Sequence, residues 1–340
     1  MIEAQGLTKH FGDFVAVDGI DLSVREGEVL SLLGPNGAGK TTTVRMLASI
    51  LKPTVGWARI AGFDTVRDAR QVRRTIGLLT EFPGLYLRMR GIDYLDFFGR
   101  LQGLNPARRA DRSEYLLKRF ELWEARSQRT GEYSKGMRQK LALVRAMLHD
   151  PQVLFLDEPT SAMDPHSARL VREAIADLRG DRRTIVLCTH NLIEAESLAD
   201  RIAIMRRGRI VALGTPAELK RRLLGDPLFE LRLARSPDGL LADLVDMVRV
   251  QELGENWLRY TTAEPELVNP RIVKRLTELG AHIITLSVVP RGLEEVYLTI
   301  VNEPAHSEVA RDDQTADTRA GHQDCRMESR ASHGLPEPTD

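Results

Sequence analysis

The stretch Gly34-Pro35-Asn36-Gly37-Ala38-Gly39-Lys40-Thr41-Thr42 constrains this chain more than any other. It follows the apolar run Val29-Leu30-Ser31-Leu32-Leu33 and precedes a helix-like segment, Thr43 to Ile50. The pattern G-x-x-x-x-G-K-[ST] carries a mechanism only between a strand and a helix, and both are expected here. Its glycines let successive backbone N–H groups turn inward around phosphates, and the helix N-terminus adds its positive dipole end. Lys40 would then reach the β- and γ-phosphates of a nucleotide, and the Thr41 hydroxyl would bind Mg²⁺. A plain glycine-rich turn is the alternative, and the loop alone leaves the kind of nucleotide machine open.

Composition narrows the class. With 340 residues, 42% hydrophobic and 28% charged, the chain has ordinary globular values and room for about two domains. Lys+Arg and Asp+Glu both number 48, so no global attraction to nucleic acid or anionic lipid exists, and no nucleic-acid partner is expected. Arg67, Arg70, Arg73 and Arg74 read first as the solvated face of a helix, with a binding patch as the second reading. The two cysteines, Cys188 and Cys325, imply neither a disulfide framework nor a metal site, which fits a reducing cytoplasm. Met1 to Gln5 lacks the features of a signal peptide. No run approaches the roughly 18 to 20 apolar residues of a spanning helix, so a membrane role would be borrowed from a partner.

Residues 1 to 33 read as short strands with turns at Gly6, His10 to Asp13, Gly19 and Glu26-Gly27. Helical periodicity over Gly91 to Leu101, Ala110 to Glu121 and Gly136 to Leu148 marks a helical insert over about 85 to 148. Strand and helix then alternate: strand Val153 to Leu156, helix Pro165 to Arg179, strand Thr184 to Thr189, helix Leu192 to Ala199, strand Arg201 to Met205. That alternation predicts an α/β fold with a parallel sheet covered on both faces. A short helix, Ala217 to Leu224, leads to a boundary at Gly225-Asp226-Pro227. Beyond it, strand Leu228 to Leu233, helix Asp238 to Val248, paired strands near Val250 and over Trp257 to Thr261, helix Pro265 to Leu279 and strand Ile283 to Val288 predict a small α/β unit. Residues 303 to 340 are polar throughout and are expected to be disordered.

Three further segments carry chemistry. Val153 to Leu156 ends in two carboxylates, Asp157 and Glu158, which the period of two in a strand sends to opposite faces. Asp157 would hold the Mg²⁺ shell while Glu158 polarises an attacking water. Alone, the pair reads first as a helix cap and first-turn acid; after a phosphate loop and an apolar strand, the catalytic reading leads. His190, at the end of the strand Thr184 to Thr189, would touch the γ-phosphate and orient the water, although a lone strand-end histidine is usually only a polar terminus. Tyr133-Ser134-Lys135-Gly136-Met137 opens a helix for which Ser134 is a good cap.

The order of phosphate loop, Ser-x-Gly helix start, apolar strand with Asp-Glu, Ser161-Ala162-Met163-Asp164 and strand-terminal His190 resembles the nucleotide-binding subunit of an ABC transporter. The resemblance covers about residues 1 to 222 and implies a P-loop NTPase of ABC type with a parallel-sheet core, an antiparallel β subdomain and a helical insert. A small accessory α/β domain over 227 to 301 would follow. It implies ATP bound by Gly34, Pro35, Asn36, Gly37, Ala38, Gly39, Lys40, Thr41 and Thr42, with Phe11 stacked on the adenine and Phe14 as the fallback. Ser134, Lys135, Gly136 and Met137 stand where the family carries its Leu-Ser-Gly-Gly-Gln signature, which meets the γ-phosphate held by the other subunit. Asp164 matches the residue that links the two sites of such a homodimer. The implied catalytic residues are Glu158, His190 and Lys40, and the implied Mg²⁺ contacts are Thr41, Glu81 and Asp157.

This sequence departs from that family at three places. Thr80-Glu81 stands where most members carry Gln, adding negative charge near the phosphates; Lys135 and Met137 replace Gly and Gln of the signature; and Ser161-Ala162-Met163-Asp164 replaces the commoner Ser-Gly-Leu-Asp. These variants, with a C-terminal unit ending Gly292-Leu293-Glu294-Glu295-Val296-Tyr297-Leu298, are similar to ATPases of bacterial drug-resistance and sodium-extrusion exporters. Those work at the cytoplasmic face of the membrane with a separate transmembrane permease, which would insert a short helix around Phe82 to Met89. The resemblance therefore implies an ATP-driven motor exporting a drug-like or other small compound. The rival is a soluble ABC ATPase acting on ribosomes or nucleic acid; the single phosphate loop and the short stretch between Lys40 and Ser134 speak against it. A regulator without turnover is the third reading, opposed by the intact Lys40, Asp157, Glu158 and His190.

Overall fold

Alternate residues of the central strands belong to two different cores, and that division places the phosphate loop. The computed structural model describes residues 1–294 apart from 83, 162, 181, 237–243 and 245–246, together with Tyr297. The chain opens with β1 (Ile2–Phe11), β2 (Phe14–Val24), β3 (Val29–Leu33), α1 (Lys40–Leu47), β4 (Val55–Ile60), β5 (Phe63–Asp64), α2 (Ala69–Thr75) and β6 (Ile76–Leu79). The insert supplies α3 (Gly91–Leu101), α4 (Pro106–Arg119) and α5 (Lys135–Met147). Then come β7 (Val153–Asp157), α6 (Pro165–Gly180), β8 (Thr184–Thr189), α7 (Leu192–Leu198), β9 (Arg201–Arg206), β10 (Arg209–Gly214) and α8 (Pro216–Leu224).

The six-stranded sheet has the order β10-β9-β3-β8-β7-β6, parallel except for β10 against β9. In β3, β7 and β8, Val29, Leu33, Leu154, Leu156, Ile185 and Leu187 join one core with the insert helices and α6. Their alternates Leu30, Leu32, Val153, Phe155, Val186 and Cys188 join a second core with Val44, Met46 and Leu47 of α1 and with Ile2, Leu7 and Val17 of the antiparallel sheet β2-β1-β4-β5. A strand buried on both faces has no polar alternation, which is why these three read as continuous apolar runs.

The fold is thus the parallel-sheet α/β architecture the alternation predicted, with the antiparallel sheet packed over one face as the resemblance implied. After α8, β11 (Leu228–Leu233), β12 (Arg249–Leu253), β13 (Trp257–Thr261), α9 (Pro265–Glu278) and β14 (Ile283–Val288) form a smaller unit. Its antiparallel sheet has the order β12-β13-β11-β14, with its own core around Leu231, Leu258, Tyr260, Ile272 and Leu276. The helix expected over Asp238 to Val248 and the tail over 303 to 340 fall largely or wholly outside the described residues.

Candidate active site

The loop between β3 and α1 is held by close backbone approaches. Gly39 sits at φ 103°, and a Cβ there would lie 2.7 Å from the Ala16 carbonyl oxygen; one on Gly34 would lie 2.4 Å from that of Met205. Only glycine fits either place. α1 begins at Lys40, earlier than the sequence suggested, because the loop itself delivers the first helical residues. Lys40 is 6% exposed, and its ammonium donates to the carbonyl oxygens of Gly34 at 2.6 Å and Pro35 at 3.2 Å. A buried ammonium needs such partners.

β8 lies beside β3, and β7 beside β8, in the same parallel sheet, so they deliver the carboxylates and His190 to the same edge as the loop. The Thr41 hydroxyl donates to Asp157 Oδ2 at 2.8 Å, joining the loop to the end of β7. Burial raises the Asp157 pKa, the Thr41 hydrogen bond opposes that, Glu158 and Glu81 raise it further, and Lys40 lowers it. The opposite-face placement expected of Asp157 and Glu158 does not occur. β7 ends at Asp157, and Glu158 adopts a φ of 52°, so both carboxylates line one cleft. A non-glycine residue in this region is strained and needs surrounding bonds to hold it. The Glu158 N–H donates to the Cys188 carbonyl at 2.9 Å, while its own carbonyl accepts from the Ser161 N–H at 3.2 Å and Gln139 Nε2 at 3.4 Å. Its side chain is only 11% exposed and meets His190 at 2.9 Å, Oε1 to Nδ1.

The cleft measures about 450 Å³ and is lined by residues 36–42, Glu81, Asp157, Glu158, Ser161 and His190, together with Phe14 and Ala16. Gly34 and Pro35 lie behind the wall, where Lys40 meets them. Phe11 is not among the lining residues; it pairs with Phe14 across the β1–β2 hairpin, with the Lys9 ammonium 5.2 Å from its ring centre. The signature segment stands elsewhere. Ser134 caps α5 by accepting from the Met137 N–H at 3.2 Å, and Ser134 and Lys135 are exposed. Asp164 caps α6, accepting from the Ser167 N–H at 3.0 Å, and these bonds hold its pKa down. A Cβ on Gly136 would lie 3.9 Å from Asp164 Oδ2, so the two turns share one surface outside the cleft. Ala162 falls outside the described residues.

Sequence reasoning passed over two residues beside the cleft: Gln139, which holds the Glu158 carbonyl, and Glu194, a buried acid on α7 bonded by Thr160. A signal for Glu194 existed. It lies one turn before Leu198, on the buried stripe of α7, where an acid is out of place.

A strand-fed phosphate loop, a Thr–Asp pair and a Glu–His pair in one cleft define a P-loop ATPase. The model of the ABC transporter family matches residues 17–161. A daunorubicin resistance ATP-binding protein of Streptomyces coeruleorubidus is 36% identical over 89% of this chain and 96% of its own length. A Nod factor export ATP-binding protein of a Rhizobium species is 35% identical over 88% and 96%. Among solved structures, the ATP-binding subunit of an ABC transporter matches with a TM-score of 0.63 at 28% identity, over 72% of this chain and 99% of that one. The chain belongs to the ABC transporter ATP-binding proteins, and it is an ATP-binding ATPase of that family.

Proposed function

We propose that this ATPase is the motor subunit of an export system, dimerising around two ATP and driving a separate transmembrane permease from the cytoplasmic face. The cargo is a drug-like or other small compound, the class named for the daunorubicin resistance relative. The observation that carries the reading is the 2.9 Å contact of Glu158 with His190 inside the cleft that also holds the phosphate loop.

ATP would enter with its phosphates against the N–H groups of the loop, and Lys40 would exchange the carbonyls of Gly34 and Pro35 for phosphate oxygens. The adenine would stack on the hairpin tip, Phe11 by resemblance, with Phe14 beside it on the wall of the cleft. The Thr41 hydroxyl and the Asp157 carboxylate, with Glu81 lining the same cleft, are hard oxygen donors that fit Mg²⁺. Burial first, then the charges of Glu158 and Glu81, raise the pKa of Asp157 against the Thr41 hydrogen bond and Lys40, and a cation held there would favour its ionised form. Bound there, the metal would neutralise charge on the β- and γ-phosphates. Glu158 would accept the proton of the attacking water, and His190, in contact with that carboxylate, would orient it toward the γ-phosphate. The exposed face carrying Ser134, Lys135, Gly136, Met137 and Asp164 would close over the partner's cleft, so that each ATP lies between two copies. The exposed Phe82, Tyr86 and Leu87 would receive the permease helix. Among the described residues no helix is long and apolar enough to cross a membrane, and the reading assigns that crossing to the permease.

In the purified protein, Glu158→Gln is expected to abolish turnover while ATP binding persists. Affinity purification of that variant from membranes is expected to recover a multi-spanning partner; ribosomes or nucleic acid in its place would sink the export reading.

A further inference from the structure

Glu194 is a carboxylate that the proposed reaction does not use, 2% exposed on α7. Its Oε1 accepts from the Thr160 hydroxyl at 2.9 Å, and the Thr189 side chain hydrogen-bonds it as well. Thr189 Oγ1 itself accepts from the Asn191 N–H at 3.0 Å, which leaves the hydroxyl proton of Thr189 for Glu194. The backbone of Glu194 is fixed too, its N–H donating to the Asn191 side chain at 3.1 Å.

The two threonines belong to different segments. Thr160 lies on the turn that follows Glu158, and Thr189 immediately precedes His190. One buried carboxylate therefore ties together the two segments that supply the Glu158–His190 contact. Burial, the largest influence, and the charge of Glu158 disfavour its ionised form, while the bonds from Thr189 and Thr160 and the charge of Arg172 favour it. The two threonines are thus what holds a carboxylate at this depth, and an apolar side chain of similar volume would carry neither bond. Glu158 needs a restraint of this kind, since its φ of 52° persists only where the surroundings over-determine it.

We propose that Glu194 is a positioning residue: through Thr160 and Thr189 it holds the Glu158 turn and the His190 strand end in the register at which their side chains meet. This rests on the reading of Glu158 as the base. Glu194 does not line the cleft; it acts through the two threonines.

The test is made on Thr160, because replacing the buried acid itself risks a chain that does not fold. Thr160→Val keeps the shape and loses the hydroxyl, whereas Thr160→Ser loses a methyl and keeps the donor. In steady-state ATP hydrolysis by the full chain, Thr160→Val is expected to lower kcat by about tenfold or more with KM for ATP unchanged, since misplacing a catalytic pair by a fraction of an ångström costs on that order. Thr160→Ser is expected to stay within about twofold of the parent, because the hydrogen bond that fixes the pair survives. A kcat for Thr160→Val equal to the parent's overturns the proposal. So does an equal loss in Thr160→Ser, or a rise in KM with kcat preserved. Glu158→Gln, assayed alongside, separates the two levels: if it kept its turnover, the base assignment and the inference built on it would both fall. If it is inactive while Thr160→Val is not, only the inference falls.

Discussion

His149 brings a titrating group into a place that disfavours its charge. It follows α5, its Nε2 meets the Ile76 carbonyl at 2.9 Å, and its Nδ1 is buried without a hydrogen-bond partner. Burial lowers its pKa, the Ile76 carbonyl and Asp150 oppose that, and Arg112 lowers it further. A base whose folded pKa lies below its unfolded value leaves the unfolded chain to bind the extra proton. Its contribution to stability is therefore full above the ordinary histidine pKa of 6.5 and is lost as pH falls through the folded value. His149→Gln keeps a donor for the Ile76 carbonyl and does not titrate. Melting temperatures of the two chains are expected to diverge below about pH 6.5, the parent falling more steeply; parallel curves would refute the assignment. At the same scale, Phe11 and Phe14 are adjacent across a tight hairpin. The resemblance put Phe11 first and Phe14 second, whereas Phe14 is the ring that lines the cleft, because which one does so depends on how the hairpin tip lies over the loop.

Among the elements, the insert is fastened to the sheet at Asp150. Arg183, just before β8, lies 2.9 Å from its carboxylate, Arg112 of α4 lies 3.4 Å away, and Arg108, also of α4, lies 3.9 Å away. Arg183 and Arg112 also donate to carbonyls of the turn, at Pro151 and Met147. Asp150 has a φ of 62°, a conformation Asp tolerates better than Ala. Asp150→Ala therefore loses partly exposed ion pairs and adds backbone strain, together about 1 to 2 kcal/mol. Amide exchange is expected to quicken in α4 with little change in β7 and β8; uniform acceleration would argue that Asp150 supports the whole fold equally. The elements themselves were legible where one periodicity ran long enough. Gly91–Leu101 and Thr184–Thr189 stand where the pattern put them, because burial on one face or on both leaves a trace in the order of residues. The turn of Glu158 was not legible: strand alternation fixes side-chain direction only while the strand lasts, and β7 ends one residue earlier. Nor was the Glu194 tie, which needs the turn at Thr160, 34 residues earlier, to meet Glu194 beside Thr189.

At the scale of the molecule, the accessory unit is joined to the ATPase near the site. Glu196 of α7 pairs with Lys220 of α8 and accepts from the Leu293 N–H at 3.5 Å, while Arg291 donates to the Leu224 carbonyl at 2.7 Å. The segment Ser134 to Met137, proposed as the signature, does not line the cleft of its own chain. In the proposed two-fold pair, each ATP takes its loop from one copy and its signature from the other. Lys40→Ala then spoils the cleft of its own copy and leaves a sound signature, whereas Ser134→Arg leaves a sound cleft and spoils its own signature. Either variant alone has two defective sites. When the two are mixed in equal amounts, half the dimers pair unlike chains, and each of these has one site built from the sound cleft and the sound signature. If the sites work independently, the mixture is expected to regain about a quarter of the parent's ATPase rate at the same total concentration. Silence from the mixture, with subunit exchange verified by differently tagged copies, would mean that loop and signature act within one chain. The recovered rate should also fall on dilution, since a site divided between two chains exists only while they are paired.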